Sequence, residues 1–295
     1  MKIIWFCAAG YSFFIGTLLF ILAILLSIFY KKSWSKVIVY VFIIIGTFSI
    51  FFSATPFELW FYAIWAITLL LWLLVTNLKL STKEFNWQKI VSVLFLFMCI
   101  AAILVELPYH LKPSIPKGNF DKLYIIGDSV SAGIGGRNEQ TWPKILHEKY
   151  KVNVINLSES GATVGSALRQ ADKIESQGAI VLLEIGGNDL FAPTPTSAFE
   201  KDMRQLLKTV NINNRAVVIL ELPLQPWHIS YGRIQRRLAK EFDAILIPKR
   251  FFVSVLSKKG ASTDLAHLSP SGHEFMAETI WYLLGYSLNV SELSG

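Results

Sequence analysis

Apolar residues along this chain follow two regimes that change at about residue 110. Before it they form long unbroken runs; after it they come in strand-length bursts separated by helical stretches. The uncharged runs are Ile3–Tyr30 (28 residues), Val37–Phe57 (21), Leu59–Leu78 (20) and Ile90–Val105 (16). A helix needs about 20 residues at 1.5 Å each to cross ~30 Å of hydrocarbon. Three runs meet that length, and the fourth meets it if Trp87 and Tyr109 serve as interfacial anchors. The pattern predicts an all-α region of four membrane spans over residues 1–107. The first run is about twice the length of a signal-peptide core and no small-residue cleavage site follows it, so it reads as a retained helix.

The lysines orient these spans. Lys31, Lys32 and Lys36 follow the first run, and Lys79, Lys83 and Lys89 follow the third, against Glu84 alone. The connection Ser53–Glu58 has no lysine or arginine. Positive loops stay in the cytoplasm, so the second connection lies outside, and four spans place both termini there too. The expectation is an integral membrane protein whose C-terminal half is periplasmic or extracellular. No Asp, Arg or His falls within the runs, which favours an anchor over an ion path or proton relay.

Residues 108–120 hold Pro108, Pro113 and Pro116. Prolines break helices and favour extended chain, so this segment reads as a linker with a reach of at most about 40 Å.

From residue 121 to 295 the pattern alternates. Strands are expected at Leu123–Ile126, Val152–Leu157, Ala179–Ile185, Ala216–Leu222 and Ala244–Ile247. Helices are expected at Trp142–Lys149, Ser166–Glu175, Thr196–Val210, Arg233–Phe242 and His273–Leu284. Near-continuously apolar strands belong to a parallel sheet buried on both faces, so the fold class is α/β, a three-layer doubly wound parallel sheet.

Composition sharpens this division. The chain is 53% hydrophobic and 17% charged over 295 residues, against about 25% charged in an ordinary soluble domain. All seven Asp and all eight Arg lie after residue 120, whereas residues 1–110 hold 14 of the 21 Phe. The net charge of +7 divides as +4 before residue 111 and +3 after it. Neither part carries a dense basic stripe, so nucleic acid is not an expected partner. Cys7 and Cys99 sit in apolar runs, and neither a metal-ligand spacing nor a Gly-rich phosphate loop is present, so no metal or cofactor is expected.

In a doubly wound sheet the chemistry sits beyond the carboxyl ends of the strands. After the first strand comes Gly127-Asp128-Ser129-Val130-Ser131; Ser129 there fits a nucleophile, or simply a helix N-cap. Ser131 stands where a Gly-x-Ser-x-Gly elbow needs glycine. After the second strand, Gly161 in Ser160-Gly161-Ala162 can turn its N–H toward a pocket. After the third, Asn188 in Gly186-Gly187-Asn188-Asp189 brings a side-chain amide, while Asp189 reads as structural. Before the last helix, Asp264 and His267 are three apart. The carboxylate can accept from one imidazole nitrogen and leave the other to take a proton from Ser129. Ser269 and Pro270 read as the N-cap and first residue of that helix.

Together these blocks resemble the SGNH/GDSL hydrolase superfamily, in order, over about residues 121–285. The resemblance implies a flavodoxin-like sheet, Ser129 as nucleophile, and His267 as base and then acid, oriented by Asp264. It also implies an oxyanion hole of the Ser129 N–H, the Gly161 N–H and the Asn188 amide. Ala162 stands where many members have an acidic or polar residue. Phe191, Trp227 and His228 are expected at the substrate rim, because loops at this edge shape ligand sites. His273 is expected to pack or lie at the surface, and His110 and His147 have no partners in sequence.

The activity expected is that of a membrane-anchored serine esterase acting on an acyl or acetyl ester of a lipid or envelope glycan. Two alternatives stay open: an acyltransferase passing the acyl group to a glycan hydroxyl, and a non-catalytic binding module.

Overall fold

A computed structural model describes residues 2–29, 33–78, 86–117, 120–135, 139–192, 194–212, 214–264 and 267–289. Lys31, Lys32, Lys79, Lys83 and Glu84, which carry much of the orientation argument, lie outside the described residues. So do Gly118 and Asn119 of the linker. The chain forms two compact units. One contains residues 6–110 and 225–229; the other contains residues 2–5, 111–224 and 230 onward.

The helical unit is built from α1 (Lys2–Ala8, from Phe6 in this unit), α2 (Tyr11–Phe29), α3 (Ser33–Phe51), α4 (Leu59–Leu78) and α5 (Trp87–Glu106). Four of these, α2 to α5, are long and apolar enough to cross a membrane, among the described residues. The 28-residue first run is not one helix. It breaks at Gly10, whose φ of +86° is left-handed, and a Cβ there would lie 3.3 Å from the His110 ring. The fourth run gains length at both ends: Asn86 caps the Lys89 N–H at 3.0 Å, and the helix continues to a buried Glu106. The next turn, Leu107–His110, is a 3₁₀ helix rather than the extended chain expected from Pro108.

Packing in this unit relies on small residues and aromatic rings. Helices α2 and α3 meet at Gly16 and Gly46, where a Cβ on Gly16 would come within 2.7 Å of the Gly46 carbonyl. Such contacts let helices associate where lipid offers no hydrophobic drive. Phe13, Phe20, Trp65, Trp72, Phe95 and Cys99 fill the interior, and the Trp72 indole donates to Ser92 Oγ at 3.0 Å between α4 and α5. Ile44, Phe48, Leu70, Phe97 and Leu104 face outward, so these helices are apolar all round, as a span must be.

The α/β unit contains β1 (Lys122–Gly127), α6 (Ser129–Ala132), α7 (Trp142–Tyr150), β2 (Val154–Asn156), α8 (Leu168–Ala171) and β3 (Ala179–Glu184). It continues with α9 (Gly187–Phe191), α10 (Thr196–Val210), β4 (Arg215–Leu220), α11 (Ile229–Glu241, from Ser230 in this unit), β5 (Ile245–Ile247), α12 (Lys249–Leu256) and α13 (Pro270–Leu284). All strand pairs are parallel, in the order β2-β1-β3-β4-β5, which is the flavodoxin-like order. Every residue of β3 is buried. Helices α8, α10 and α11 cover one face, with Arg237 of α11 paired to Glu200 of α10, and α7, α12 and α13 cover the other. Right-handed crossovers from this strand order require that division.

Helix α12 is absent from the sequence reading, and the helix expected at Ser166–Glu175 shortens to one turn. The expected cap of the last helix is present: Ser269 Oγ accepts from the Gly272 N–H at 3.1 Å, with Pro270 in first position.

Candidate active site

The first block leaves the carboxyl end of β1. Asp128 caps α6, its carboxylate accepting from the Val130 N–H at 3.0 Å. Ser129 is therefore the first residue of that helix and not its cap; its side chain is half-buried. Glycine is required at Gly127 by space, because a Cβ would sit 2.8 Å from Ser158 Oγ and 2.9 Å from Ser131 Oγ.

Three side chains hold this turn from beneath. Gln170 accepts from the Gly127 N–H and donates to the Gly127 carbonyl, both at 3.0 Å. Glu184, at the end of β3, accepts from Ser131 Oγ at 2.7 Å. Asn156, at the end of β2, donates to the Ser131 carbonyl at 3.0 Å. Sequence reasoning passed over these groups. The signal was present in Glu184, an acid inside an otherwise apolar buried strand. Gln170 and Asn156 gave no comparable sign.

The second and third blocks close on the first. Gly161 has φ +77° and nothing within 4 Å of where a Cβ would stand, so its backbone is open on that side. The Asn188 amide donates to the Ala162 carbonyl at 3.0 Å and to Asp128 Oδ2 at 3.4 Å, joining three strand ends. Asp189 is buried, and its carboxylate accepts from the Val164 N–H at 2.9 Å.

The fourth block is a hydrogen-bonded pair. Asp264 Oδ2 lies 2.8 Å from His267 Nδ1, and Asp264 Oδ1 accepts from the His267 backbone N–H at 2.7 Å. A carboxylate can only accept, so the proton sits on Nδ1 and Nε2 is left as the basic nitrogen. The intervening Leu265 and Ala266 lie outside the described residues.

Electrostatics link the blocks. Burial pushes the Asp128 carboxyl up to about 6, opposed by the Val130 hydrogen bond and the His267 imidazole, while Asp189 adds to the rise. Burial also holds Glu184 well above the carboxylate range; the Asp128 charge reinforces this and the Ser131 hydroxyl opposes it. The floor of the site is thus acidic but favours its protons, an outcome of desolvation and like charge.

The remaining sequence candidates separate. Phe191 ends α9 and is 71% exposed. Trp227 and His228 lie on the 3₁₀ turn Pro226–His228, in the segment that groups with the helical unit. His273 is buried and packs: its Nδ1 accepts from the Trp142 N–H at 3.2 Å, at the start of α7, where Thr141 supplies no side-chain cap. Burial lowers its pKa, against the nearby Glu139. His147 Nδ1 bonds the Val152 carbonyl at 2.9 Å.

The GDSL-like lipase/acylhydrolase family pattern matches residues 125–275, more than half of the chain. The chain belongs to this family. The GDSL enzyme is 31% identical over 169 residues to thioesterase 1/protease 1/lysophospholipase L1 of Escherichia coli K12, which covers 54% of this chain and 80% of that protein. It is 28% identical over 177 residues to an arylesterase of Vibrio mimicus, covering 54% and 86%. Among solved structures, a psychrotrophic esterase from a Pseudoalteromonas species shares the fold, with a TM-score of 0.50 at 22% identity over 56% of this chain and 97% of the other. The GDSL domain is an ester hydrolase of the SGNH type. The helices before residue 125 are outside the family match.

Proposed function

We propose that this protein is a membrane-anchored serine esterase that hydrolyses an acyl ester through a covalent acyl-enzyme on Ser129. The observation that carries the reading is the Asp264–His267 pair, which fixes the proton on Nδ1 and frees Nε2. In the first step Ser129 Oγ bonds to the ester carbonyl carbon while its proton passes to His267 Nε2. The carbonyl oxygen becomes an oxyanion, stabilised by the Ser129 and Gly161 N–H groups and the Asn188 amide. The C–O bond to the leaving alcohol then breaks, and the alcohol takes the proton from His267 Nε2. Water repeats the sequence on the acyl-enzyme: its proton goes to Nε2, and the carboxylic acid leaves as Ser129 regains a proton.

The anchor is α2 to α5, whose apolar surface and length suit a bilayer. The lysine asymmetry supports a periplasmic or extracellular hydrolase domain. Protease accessibility of the C-terminal half in spheroplasts tests that orientation: cleavage is expected, and full protection overturns it.

The chemistry is tested with the full chain in detergent. Parent protein is expected to turn over a short aryl ester and to be labelled by a fluorophosphonate, and Ser129→Ala to lose both. Near-parent turnover in Ser129→Ala refutes the mechanism. Added glycan acceptors report the acyltransferase alternative, as an acylated sugar in place of free acid.

A further inference from the structure

Glu139 receives N–H groups that converge on it from two parts of the α/β unit. One oxygen, Oε2, accepts from the backbone N–H groups of Ile134 and Gly135 at 2.9 and 3.0 Å. The other, Oε1, faces His273 Nε2 at 3.5 Å. Both side chains are largely shielded from water, His273 at 3% exposure and Glu139 at 18%. We infer that these two residues form a positioning pair, which holds the turn carrying Ser129 at a fixed reach from the segment carrying His267. The inference rests on the esterase reading above and gives the pair no contact with the ester.

One end of this link is the close of α6. That helix is a single turn, capped by Gly133, whose φ is +84° and whose N–H donates to the Ser129 carbonyl at 2.9 Å. One turn of helix has no interior and does not hold its own direction. The chain beyond it turns again at Gly135, where φ is +89°. Glu139 supplies the acceptor for the two backbone N–H groups that follow Gly133. It packs so closely there that a Cβ on Gly133 would stand 2.6 Å from Oε2.

The other end is the start of α13. His273 Nδ1 accepts from the Trp142 N–H at 3.2 Å, so the neutral ring carries its proton on Nε2, the nitrogen that faces Glu139. Burial lowers the His273 pKa and keeps the ring in that form. The His273 backbone N–H donates to the Ser269 carbonyl at 2.9 Å, and Ser269 lies two residues beyond His267. A short path of bonded groups thus runs from Ser129 through Gly133–Gly135, Glu139, His273 and Ser269 to the base. A carboxylate suits the centre of this path because both its oxygens accept; an amide accepts on one side only. A general base must come within about 2.6–3.2 Å of the proton it takes. A misplacement of about 1 Å caused far from the chemistry can cost on the order of 10²-fold. A buried strut between the two blocks answers that requirement.

The test compares two replacements of His273 in the full chain in detergent. In His273→Asn the amide oxygen stands near the place of Nδ1, so the Trp142 N–H keeps an acceptor while the link to Glu139 is lost. In His273→Gln the longer side chain brings an amide N–H toward Glu139 and leaves the Trp142 N–H unmet. His273→Asn is expected to lower kcat for p-nitrophenyl acetate at least about tenfold, with KM near parent, and to slow fluorophosphonate labelling in proportion. His273→Gln is expected to retain most of the parent kcat despite a lower melting midpoint. The opposite order, with kcat following the melting midpoint, shows a merely structural residue and overturns the inference. Glu139→Gln is expected to lose kcat as His273→Asn does, and the double variant to lose no more than either alone, because each removes the same link. Losses that multiply in the double variant overturn the pairing. Glu148→Gln, which removes an exposed carboxylate of α7, is expected to match the parent. Absence of both turnover and labelling in the parent chain removes the esterase reading itself, whereas an active parent with His273→Asn unaffected removes the pair alone.

Discussion

Gln170 closes a two-bond ring on Gly127: its amide oxygen takes the Gly127 N–H and its amide nitrogen reaches the Gly127 carbonyl, each at 3.0 Å. Gly127 is the last residue of β1, two positions before Ser129, and Gln170 is fully buried. A side-chain amide thus holds the backbone at the point where it leaves the sheet. Gln170→Ala strands the Gly127 N–H, whereas the Gly127 carbonyl keeps the Glu159 N–H at 3.1 Å; an unmet buried group costs about 1–3 kcal/mol. The expected outcome is a lower thermal midpoint together with a lower kcat. Gln170→Glu, which keeps an acceptor for the N–H, is expected to recover part of both. Unchanged stability in Gln170→Ala would contradict this role.

Asp264→Asn is expected to lower kcat on the order of 10²–10⁴-fold with little change in KM, because an amide cannot hold the proton on His267 Nδ1. The amide can still accept from the His267 backbone N–H, so the loop should persist. Circular dichroism and melting behaviour close to parent, alongside the kinetic loss, are the signature sought.

Asn188→Ala is expected to leave weak residual turnover, with a loss of about 10²–10³. The same substitution frees the Ala162 carbonyl and one oxygen of Asp128. Steady-state kinetics with a short aryl ester measure it. A loss confined to KM would place Asn188 outside the oxyanion site.

The pH dependence of stability follows from Asp128. Its carboxyl is raised to about 6 by burial, above the ~3.9 of an unfolded Asp. The folded state therefore binds this proton more tightly. The stability it contributes is full below about pH 4 and is lost as pH rises through about 6. His273 acts with opposite sign: burial lowers its pKa, so its contribution is present above the ~6.5 of an unfolded His and lost as pH falls. Asp128→Asn is expected to flatten the loss between pH 4 and 7 in denaturant titrations of the full chain. An undiminished loss in that variant would argue against this assignment.

Gly272→Ala is expected to prevent normal folding of the last helix. A Cβ at this position would lie 1.8 Å from the Ala261 carbonyl oxygen, which is backbone and has no side chain to move aside. The Gly272 N–H also takes the Ser269 cap. Poor expression or a much lower melting midpoint is the outcome to look for.

Much of this architecture was legible before any coordinates. The long apolar helices follow from uncharged length, and the parallel sheet from short apolar strands set between helices. The first three blocks announced themselves because each follows a strand, and the fourth because it precedes the last helix. Less was legible where a residue's meaning depends on a distant partner. The break at Gly10 is one case, since its left-handed turn is set beside His110, a hundred residues later. His273 is another: it reads as an ordinary helix residue until α7 presents an uncapped Trp142 N–H.

The sequence by itself determined the division into an apolar helical part and an α/β part, and the order of the blocks, because hydrophobic period and turn chemistry are local properties of the chain. Only the tertiary structure decided what supports those blocks. Gln170 beneath Gly127, Glu184 beneath Ser131 and Asn188 across to Asp128 and Ala162 join positions 26 to 60 residues apart. It also grouped residues 225–229, Trp227 among them, with the helical unit, although Leu224 and Ser230 on either side belong to the α/β unit. Burial creates these relationships: a polar group removed from water must find its partner wherever the fold has brought one.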